Sequence, residues 1–486
     1  MQKLKGTHTG TLTARILKAM SVFGSVQVLA LLCSVVRTKL VAFWIGPAGV
    51  GIITLYNSTM EMLYTTGQLN LRQSAVRDIS AVAGRPAAAA RVIAVLRRLM
   101  YFLGLAGMVL VAALSPLLSR WTFGDASHTW AFIVLSVIMF CMSVSAGEYA
   151  VMQGLDRLRV LARCNLYSSV TASLAAIPLF YFFREKAIVP AVVLFSITSY
   201  LFTRIARKGL TPGLPPSPHL RLAEALREGR GMISLGLYMT VSSFVSLLAS
   251  YIFAVYLRST DSVEAVGIYQ AGFVIINAYF GIIFNAISME YFPRLSTAIA
   301  HRHRAGVIVS HEMRIVLAVL MPVVVIFICA DSLIVRILYS GEFDGAIAYM
   351  STAVIGVFLR AASWCLSFAM LAKGDGRIFV LTESVSAAVF LALSVTGYRY
   401  GGNTGLGWAY VGWYAVYMAI VYAVYRYRYG MKIGRGLPVL LASALAVGAG
   451  TLWLRNVAGP WITLAMTLPW LLPISLRLLL KCRRGL

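Results

Sequence analysis

Residues 37–51, with the sequence RTKLVAFWIGPAGVG, place a Gly-Pro turn between two apolar segments. The segment before the turn is long enough to cross a bilayer as a helix, and the segment after it runs past Glu61. Arg37, Lys39 and Glu61 therefore fall within segments that we expect to lie in hydrocarbon. A charge at such depth costs about 2.5–3.5 kcal/mol on insertion scales, so intramembrane charges usually face a cavity and usually have a function.

The composition of the whole chain agrees with a membrane location. Of its 486 residues, 59% are hydrophobic and only 12% are charged, with a mean hydropathy of +0.80. Soluble proteins carry about twice that share of charge. Backbone groups in lipid must bond within their own segment, so repeated long apolar runs predict helices. The sequence therefore predicts an all-α polytopic membrane protein.

Fourteen spans are predicted, an even number that puts both termini on one side of the membrane. Most of the 43 Lys and Arg residues lie in the tails and in every second loop, which the positive-inside rule assigns to the cytoplasm. The same distribution argues against nucleic acid as a partner, because the net charge of +26 forms no single patch. The predicted spans are 19–43, 49–70, 92–116, 129–151, 162–183, 188–205, 232–257, 265–291, 314–339, 345–371, 378–397, 405–425, 437–454 and 461–479.

Matching segments in the two halves of the chain indicate an internal repeat. The turn after Gly46 has its counterpart around Gly267, with Asn277 at the position that matches Glu61. We predict two six-helix lobes, related by a pseudo-twofold axis along the membrane normal and enclosing a central cavity. The predicted units are an N-terminal lobe (1–206), a cytoplasmic linker (207–231), a C-terminal lobe (232–430), and an extra helix pair with a basic tail (431–486).

Four basic residues at membrane depth are candidates for binding an anionic substrate. Arg360 lies mid-span, too deep to reach water easily, and is either a cavity cation or the partner of a buried carboxylate. Arg37 and Lys39 differ by about 200° around a helix, so one faces the cavity while the other extends towards the headgroups. Arg258 lies near the outer end of its span, where extension to the headgroups competes with a role in binding.

Three carboxylates are candidates for ion coupling. Glu61 and Glu383 lie mid-helix, where burial and nearby cations decide whether they titrate. Glu290 lies near the cytoplasmic end of its span, and an ion pair with Arg294, one turn away, is the competing interpretation.

Chemistry-bearing motifs are missing from the sequence. It contains no phosphate loop and no zinc-type spacing, and the predicted metal content is none. The six cysteines are scattered through predicted spans, where packing is their expected role. Most of the aromatics around the last two spans of the C-terminal lobe are predicted to form an interfacial belt. These features favour a transporter over an enzyme.

Several segments resemble those of a known family. They are the turn at 46–51, residues 266–270 (VGIYQ), residues 291–296 (YFPRLS), and residues 372–373 followed by 377–383 (RIFVLTE). Over residues 18–428 the chain resembles the Wzx-type translocases, the O-antigen and lipid III flippases of the multidrug/oligosaccharidyl-lipid/polysaccharide exporter superfamily.

The resemblance implies a function, a location and partners. The expected activity is movement of an undecaprenyl-diphosphate-linked oligosaccharide, of O-antigen or enterobacterial common antigen type, from the cytoplasmic to the periplasmic leaflet by alternating access. The expected location is the bacterial inner membrane, with a glycan polymerase and a chain-length regulator as further partners. No cofactor is expected beyond coupling to protons or sodium. Lys39 and Arg360 lie where similar sequences carry a basic residue, and Glu383 lies where they carry an acidic one. Asn277 differs, because a lipid III flippase of the family has an acidic residue at this position.

Two alternatives remain open at this point. An ion-coupled drug antiporter of the same superfamily would share the fold but favour carboxylates over cations in its cavity. A membrane-embedded glycan polymerase or ligase would generally need a large outward-facing loop, and the predicted outer loops are all short.

Overall fold

The structure is a computed structural model that describes residues 6–82, 84–210 and 220–484, with side chains described from residue 36 onward except at scattered positions. Fifteen α-helices and no strand are found in these ranges. The helices are α1 (Gly6–Gly67), α2 (Leu71–Val82), α3 (Pro86–Phe123), α4 (Thr129–Gly154), α5 (Leu158–Phe183), α6 (Ile188–Leu210), α7 (Leu222–Glu228), α8 (Arg230–Thr260), α9 (Val263–Ala298), α10 (Arg302–Leu338), α11 (Gly345–Ala353), α12 (Gly356–Ala372), α13 (Gly376–Ala423), α14 (Leu437–Ala458) and α15 (Pro460–Arg484).

Two of the longest helices are each broken by a glycine. In α1 the backbone leaves the helical conformation at Gly46 (φ 63°, ψ −172°), at the Gly-Pro turn that the sequence predicts. In α13 it does so at Gly402 (φ 54°, ψ −139°). Residues that have a Cβ rarely adopt these backbone angles, whereas glycine adopts them readily and so permits the break. Each of these helices therefore consists of two helical segments.

The number of membrane crossings is supported only in part. Ten helical stretches in the described residues are long and apolar enough to cross a membrane, or eleven if α11 and α12, bent by 49°, form one span. Two of the stretches, 159–207 and 376–428, each contain two of the predicted spans. Every predicted span overlaps a helix, whereas the exact number of fourteen and the symmetry of the lobes stay predictions.

The described residues form two compact units, one within residues 6–49 and 55–247 and the other within residues 50–54 and 248–484. The predicted lobe and linker boundaries remain a prediction, and residues 211–219 of that linker lie outside the described residues.

In the first unit the core forms where α2 and α7 pack beside the membrane-length helices α3 and α4. Leu71 and Ile79 of α2 are fully buried against Ile93 and Leu96 of α3. Helix α2 is amphipathic, since its arginines are exposed while these side chains are buried. Burial of each such apolar side chain contributes about 1.5–3 kcal/mol.

A buried carboxylate and two arginines join three helices of the first unit. Glu148 of α4, only 1% exposed, accepts two hydrogen bonds from Arg97 of α3, at 2.9 and 2.8 Å. Arg207 of α6 lies 3.8 Å from the same carboxylate. Glu148 therefore has a structural role, as a carboxylate matched by two guanidinium groups.

In the second unit the two C-terminal helices pack on α10. The buried carboxylate of Asp331 in α10 accepts a hydrogen bond of 2.5 Å from Arg455 in α14. Helix α15 packs along α10, and α14 also contacts α12. The helix pair that stands outside the predicted repeat is therefore tied to the second unit by a buried charge pair. Four of the cysteines are free and buried, as expected for packing residues (Cys141, Cys164, Cys329, Cys365).

The two ends of α13 are held together on the side of the unit away from Gly402. Asp375, just before α13, accepts hydrogen bonds from Arg428 at 3.0 Å and from Tyr429 at 3.2 Å. Desolvation raises the pKa of this carboxyl, but the hydrogen bonds outweigh it, so the pKa of Asp375 lies below its ordinary value. The contact is possible because the chain reverses direction at Gly402.

Replacing Arg455 by Ala should destabilise the second unit. It leaves the Asp331 carboxylate, which has no exposed surface, without its charged partner, a loss of about 3–5 kcal/mol. We expect a lower unfolding temperature in detergent, measured from the fluorescence of the nine tryptophans.

Two matched variants control this prediction. Arg336→Ala breaks a pair with Asp344 that is well exposed on both sides and should cost less than about 1 kcal/mol. The double variant Asp331→Leu/Arg455→Met removes both charges and should recover most of the lost stability. Equal unfolding temperatures for Arg455→Ala and Arg336→Ala would contradict a structural role for the buried pair.

Candidate functional site

Arg360 of α12 lies in a polar and aromatic setting inside the second unit. Its Nη1 donates hydrogen bonds to Oδ1 of Asn277 at 2.7 Å and to the hydroxyl of Tyr410 at 3.3 Å. The guanidinium carbon lies 5.2 Å from the ring centroid of Phe284 and 5.9 Å from that of Tyr414. Ring faces at such distances attract a cation. Arg360 is thus held by neutral groups.

The Asn277 side chain is oriented by its own helix. Its Nδ2 donates to the backbone carbonyl of Phe273, one turn earlier in α9, at 2.9 Å. This bond fixes the amide so that Oδ1 is directed towards Arg360. The asparagine at the position that matches Glu61 is therefore a partner of the deep cation.

One edge of the guanidinium has no partner among the described residues. Both hydrogen bonds of Arg360 use Nη1, which leaves Nη2 and Nε unmatched within the described part of the chain. None of the described carboxylates lies within 4 Å of this side chain, in contrast to the ion pair that holds Arg455. The Nη2–Nε edge has the geometry for two parallel hydrogen bonds to a phosphate or carboxylate.

Three tyrosines on one face of α13 connect Arg360 to Glu383. Tyr410, Tyr414 and Tyr417 follow the spacing i, i+4, i+7 and are all buried. The rings of Tyr410 and Tyr414 are 4.8 Å apart, and those of Tyr414 and Tyr417 are 6.4 Å apart. The hydroxyl of Tyr417 donates to the Glu383 carboxylate in the first segment of α13. Two of the predicted site residues therefore lie at opposite ends of one row of tyrosines.

The interfacial-belt interpretation is wrong for these three tyrosines. It fits Tyr400 and Tyr427, which are 86% and 85% exposed. The helical spacing of the buried three is the sequence signal that separates them from the exposed ones.

Close packing at Gly407 brings the tyrosine row to Arg360. A Cβ at this position would lie 1.6 Å from Oγ1 of Thr352 and 2.6 Å from the backbone oxygen of Tyr349, both in α11. Glycine therefore allows α13 to approach α11 closely. Gly356 plays the same part in α12, where a Cβ would lie 2.8 Å from the ring of Tyr410.

The candidates in the first unit do not gather into a cluster. The guanidinium of Arg37 lies 5.5 Å from the ring of Phe195 in α6, a contact within that unit. Lys39 and Glu61 are exposed. In the second unit Arg258 lies in the last turn of α8 and is partly buried. Their predicted roles in binding or coupling stay predictions.

The side chain of Glu290 lies outside the described residues, so its predicted role also stays a prediction. Arg294, its expected ion-pair partner, donates to Glu312 of α10 at 3.0 Å.

A sequence profile of a known family matches more than half of the chain. The profile is described as "Polysaccharide biosynthesis protein" and matches residues 85–348. The chain belongs to this polysaccharide biosynthesis protein family. No curated protein sequence matches it.

Solved structures similar to this family member are membrane transporters. An inward-facing multidrug resistance MATE family transporter of the MOP superfamily has a TM-score of 0.69 at 14% identity, covering 82% of this chain and 94% of its own. The lipid II flippase MurJ, in an inward closed conformation, has a TM-score of 0.69 at 10% identity, covering 95% and 98%. The Vibrio cholerae MATE transporter VcmN has a TM-score of 0.58 at 13% identity, covering 86% and 97%.

These likenesses establish the fold of the family member. It is a multi-pass membrane protein with a MOP-like transporter fold, as the resemblance in sequence implies.

Replacing Gly407 by Val should destabilise the packing of α13 on α11. The added side chain meets the Tyr349 carbonyl, which belongs to a helix backbone and cannot rotate away. Overpacking of this kind costs about 1–3 kcal/mol or more, and we expect a clear drop in unfolding temperature.

Gly401→Val is the matched control, because nothing lies within 4 Å of a Cβ there and Gly401 is also in α13. Its unfolding temperature should stay near that of the wild type. If the two variants unfold at the same temperature, Gly407 does not position the tyrosine row.

Proposed function

We propose that the protein is a flippase that moves an undecaprenyl-diphosphate-linked oligosaccharide from the cytoplasmic to the periplasmic leaflet by alternating access. The family membership and the transporter fold support translocation in a polysaccharide pathway. O-antigen and enterobacterial common antigen intermediates are the proposed glycan types. The proposed location is the bacterial inner membrane, with both termini in the cytoplasm.

The observation that carries the proposal is the unmatched edge of Arg360. Its Nη1 is bonded to two neutral groups, whereas Nη2 and Nε have no partner among the described residues. A diphosphate would supply the two acceptors that this edge lacks. A guanidinium suits this role because it stays charged at any physiological pH and presents a rigid pair of donors.

The chemistry of the substrate explains why a protein is needed. Each sugar hydroxyl costs several kcal/mol to transfer from water into hydrocarbon without a compensating hydrogen bond. The oligosaccharide head therefore cannot cross the bilayer unaided, whereas the polyprenyl tail stays in lipid throughout. A polar path with cations for the diphosphate lowers the barrier for the head alone. Lys39, Arg37 and Arg258 are the further cations that we propose for this path.

Coupling to an ion gradient is the proposed driving force, with downstream consumption of the glycan as the alternative source. Glu383 is the best-supported titratable group, since it is hydrogen-bonded to Tyr417 at one end of the tyrosine row. Protonation of Glu383 would change which of the two groups donates and so change the row that ends at Arg360. Glu61 and Glu290 are the other proposed coupling residues.

A drug antiporter of the same superfamily is the second candidate, because solved MATE transporters share the fold. A cationic drug would be repelled by a guanidinium that lacks a carboxylate partner among the described residues. A glycan polymerase or ligase is the third, and neither the fold nor the family description favours it. Dye efflux from cells and glycan polymerisation in purified vesicles are the assays for these two activities.

Replacing Arg360 by Ala should strongly slow translocation. We would reconstitute the protein in vesicles and measure how fast a prenyl-diphosphate-linked oligosaccharide becomes accessible to a membrane-impermeant reagent. Loss of charged hydrogen bonds to the diphosphate should lower the rate about 10- to 100-fold. Arg360→Lys keeps the charge but loses the paired donors, so it should fall in between.

Arg399→Ala is the control, since Arg399 is an exposed cation in the same unit. It should translocate at the wild-type rate. A folded Arg360→Ala protein that also translocates at the wild-type rate would contradict the proposed function.

A further inference from the structure

The first unit contains a polar cavity whose lining residues are all different from the residues around Arg360. Its volume is about 440 Å³, and it lies where α1 ends and α2 begins, beside the end of α4. Small-molecule sites commonly occupy about 300–1,000 Å³. The lining residues are Tyr64, Thr65, Gln68, Asn70, Leu71, Arg72, Gln73 and Gln153.

Hydrogen-bonding groups dominate this lining. Among the eight side chains are four amides, two hydroxyl groups and one guanidinium, while Leu71 alone is apolar. None of the described residues that line the cavity carries a carboxylate. Amides and hydroxyls can both donate and accept, which matches the hydroxyl groups of a sugar ring. The single positive charge, on Arg72, suits an anionic group attached to that ring.

Gln68 supplies an independent sign that this cavity is a ligand site. Its side chain is only 5% exposed, and its Nε2 is shielded from solvent without a hydrogen-bond partner among the described residues. A buried donor that remains unpaired is unfavourable and calls for an explanation. A ligand that the amide rotates to meet would provide an acceptor for this donor.

The backbone of the cavity wall is strained and held in place. Leu69 and Asn70 both have positive φ angles, 50° and 45°. This is a left-handed backbone conformation that residues other than glycine rarely adopt. Gly236 of α8 packs against this turn, where a Cβ would lie 2.1 Å from the carbonyl oxygen of Leu69. Strained backbone persists only where the surroundings enforce it, and it clusters at ligand sites.

Contacts also position the side chains at the rim. The guanidinium of Arg72 lies 5.6 Å from the ring centroid of Tyr149 in α4, which keeps the charge beside the cavity. Tyr64 donates to the backbone carbonyl of Met142 at 3.3 Å. Asn70 donates to the hydroxyl of Ser243 at 3.4 Å. These contacts fix the rim and leave the amides of Gln68, Gln73 and Gln153 to face a ligand.

We infer that this cavity binds a sugar ring of the lipid-linked substrate through its amide side chains, with the phosphate group at Arg72. The inference rests on the proposed function, from which it takes the class of substrate. The same glycosyl phosphate chemistry occurs in soluble sugar phosphates, so the test must separate the two sources. Binding here would select the sugar of the lipid-linked substrate.

The test compares three probes on the full-length protein in lipid nanodiscs. The first is a prenyl diphosphate carrying one hexose, with a prenyl chain short enough to dissolve in water. The second is the same prenyl diphosphate without sugar, and the third is hexose 1-phosphate without lipid. Dissociation constants would be measured by calorimetric titration.

Gln68→Leu should weaken binding of the first probe about tenfold and change binding of the second less than about twofold. Gln153→Ala, at the exposed rim, should act in the same direction. Arg72→Gln should weaken both diphosphates, because it removes the charge that binds phosphate. Arg77→Gln is the matched control on α2, since Arg77 is exposed, pairs with Asp78 and does not line the cavity.

Folding does not confound the result, because Gln68→Leu removes an unpaired donor and should unfold at or above the wild-type temperature. Unchanged binding in Gln68→Leu, or an equal loss for both diphosphates, would overturn the inference. Binding of hexose 1-phosphate as tight as that of the first probe would assign the cavity to a soluble sugar phosphate and also overturn it. The proposed function fails separately, through wild-type translocation by Arg360→Ala.

Discussion

A positive charge within a membrane-spanning helix needs compensation, and the environment of Arg360 provides it with neutral groups. Asn277 and Tyr410 accept its hydrogen bonds, and two aromatic rings lie near the guanidinium. Two other buried charges among the described residues are paired with an opposite charge, Glu148 with Arg97 and Asp331 with Arg455. Neutral partners stabilise the cation without cancelling it. The charge therefore remains available to an anionic ligand.

The second unit is built so that these partners meet. The break at Gly402 reverses α13, which lets Tyr417 of the second segment reach Glu383 of the first. Close packing at Gly407 then sets the tyrosine face against α11 and α12. Because one helix carries the whole row, a change at Glu383 and a change at Arg360 act on the same element. This arrangement is the physical basis on which we propose coupling between a titratable group and substrate binding.

Sequence reasoning captured what depends on local pattern. Long apolar runs predicted the helices, the Gly-Pro pair marked the break in α1, and the mid-span position of Arg360 marked it as a candidate. The sequence did not predict ion pairs between distant residues. The pairs of Arg97 with Glu148 and of Asp331 with Arg455 depend on how the helices pack. The three buried tyrosines were grouped with the exposed aromatics around them, because aromatic residues suit an interface as well as a packed face. The cavity beside Gln68 depends on the left-handed backbone at Leu69 and Asn70, which the sequence pattern did not predict.

If the Nη2–Nε edge of Arg360 binds the diphosphate of the substrate, a structure of the complex will show these contacts. The measurement is electron cryo-microscopy of the protein in nanodiscs with a prenyl diphosphate carrying a single hexose, at a resolution that separates phosphate from sugar. We expect phosphate oxygens at about 2.7–2.9 Å from Nη2 and Nε, with Asn277 and Tyr410 still bound to Nη1. A bound diphosphate held elsewhere, with Arg360 contacting only its present neutral partners, would contradict it.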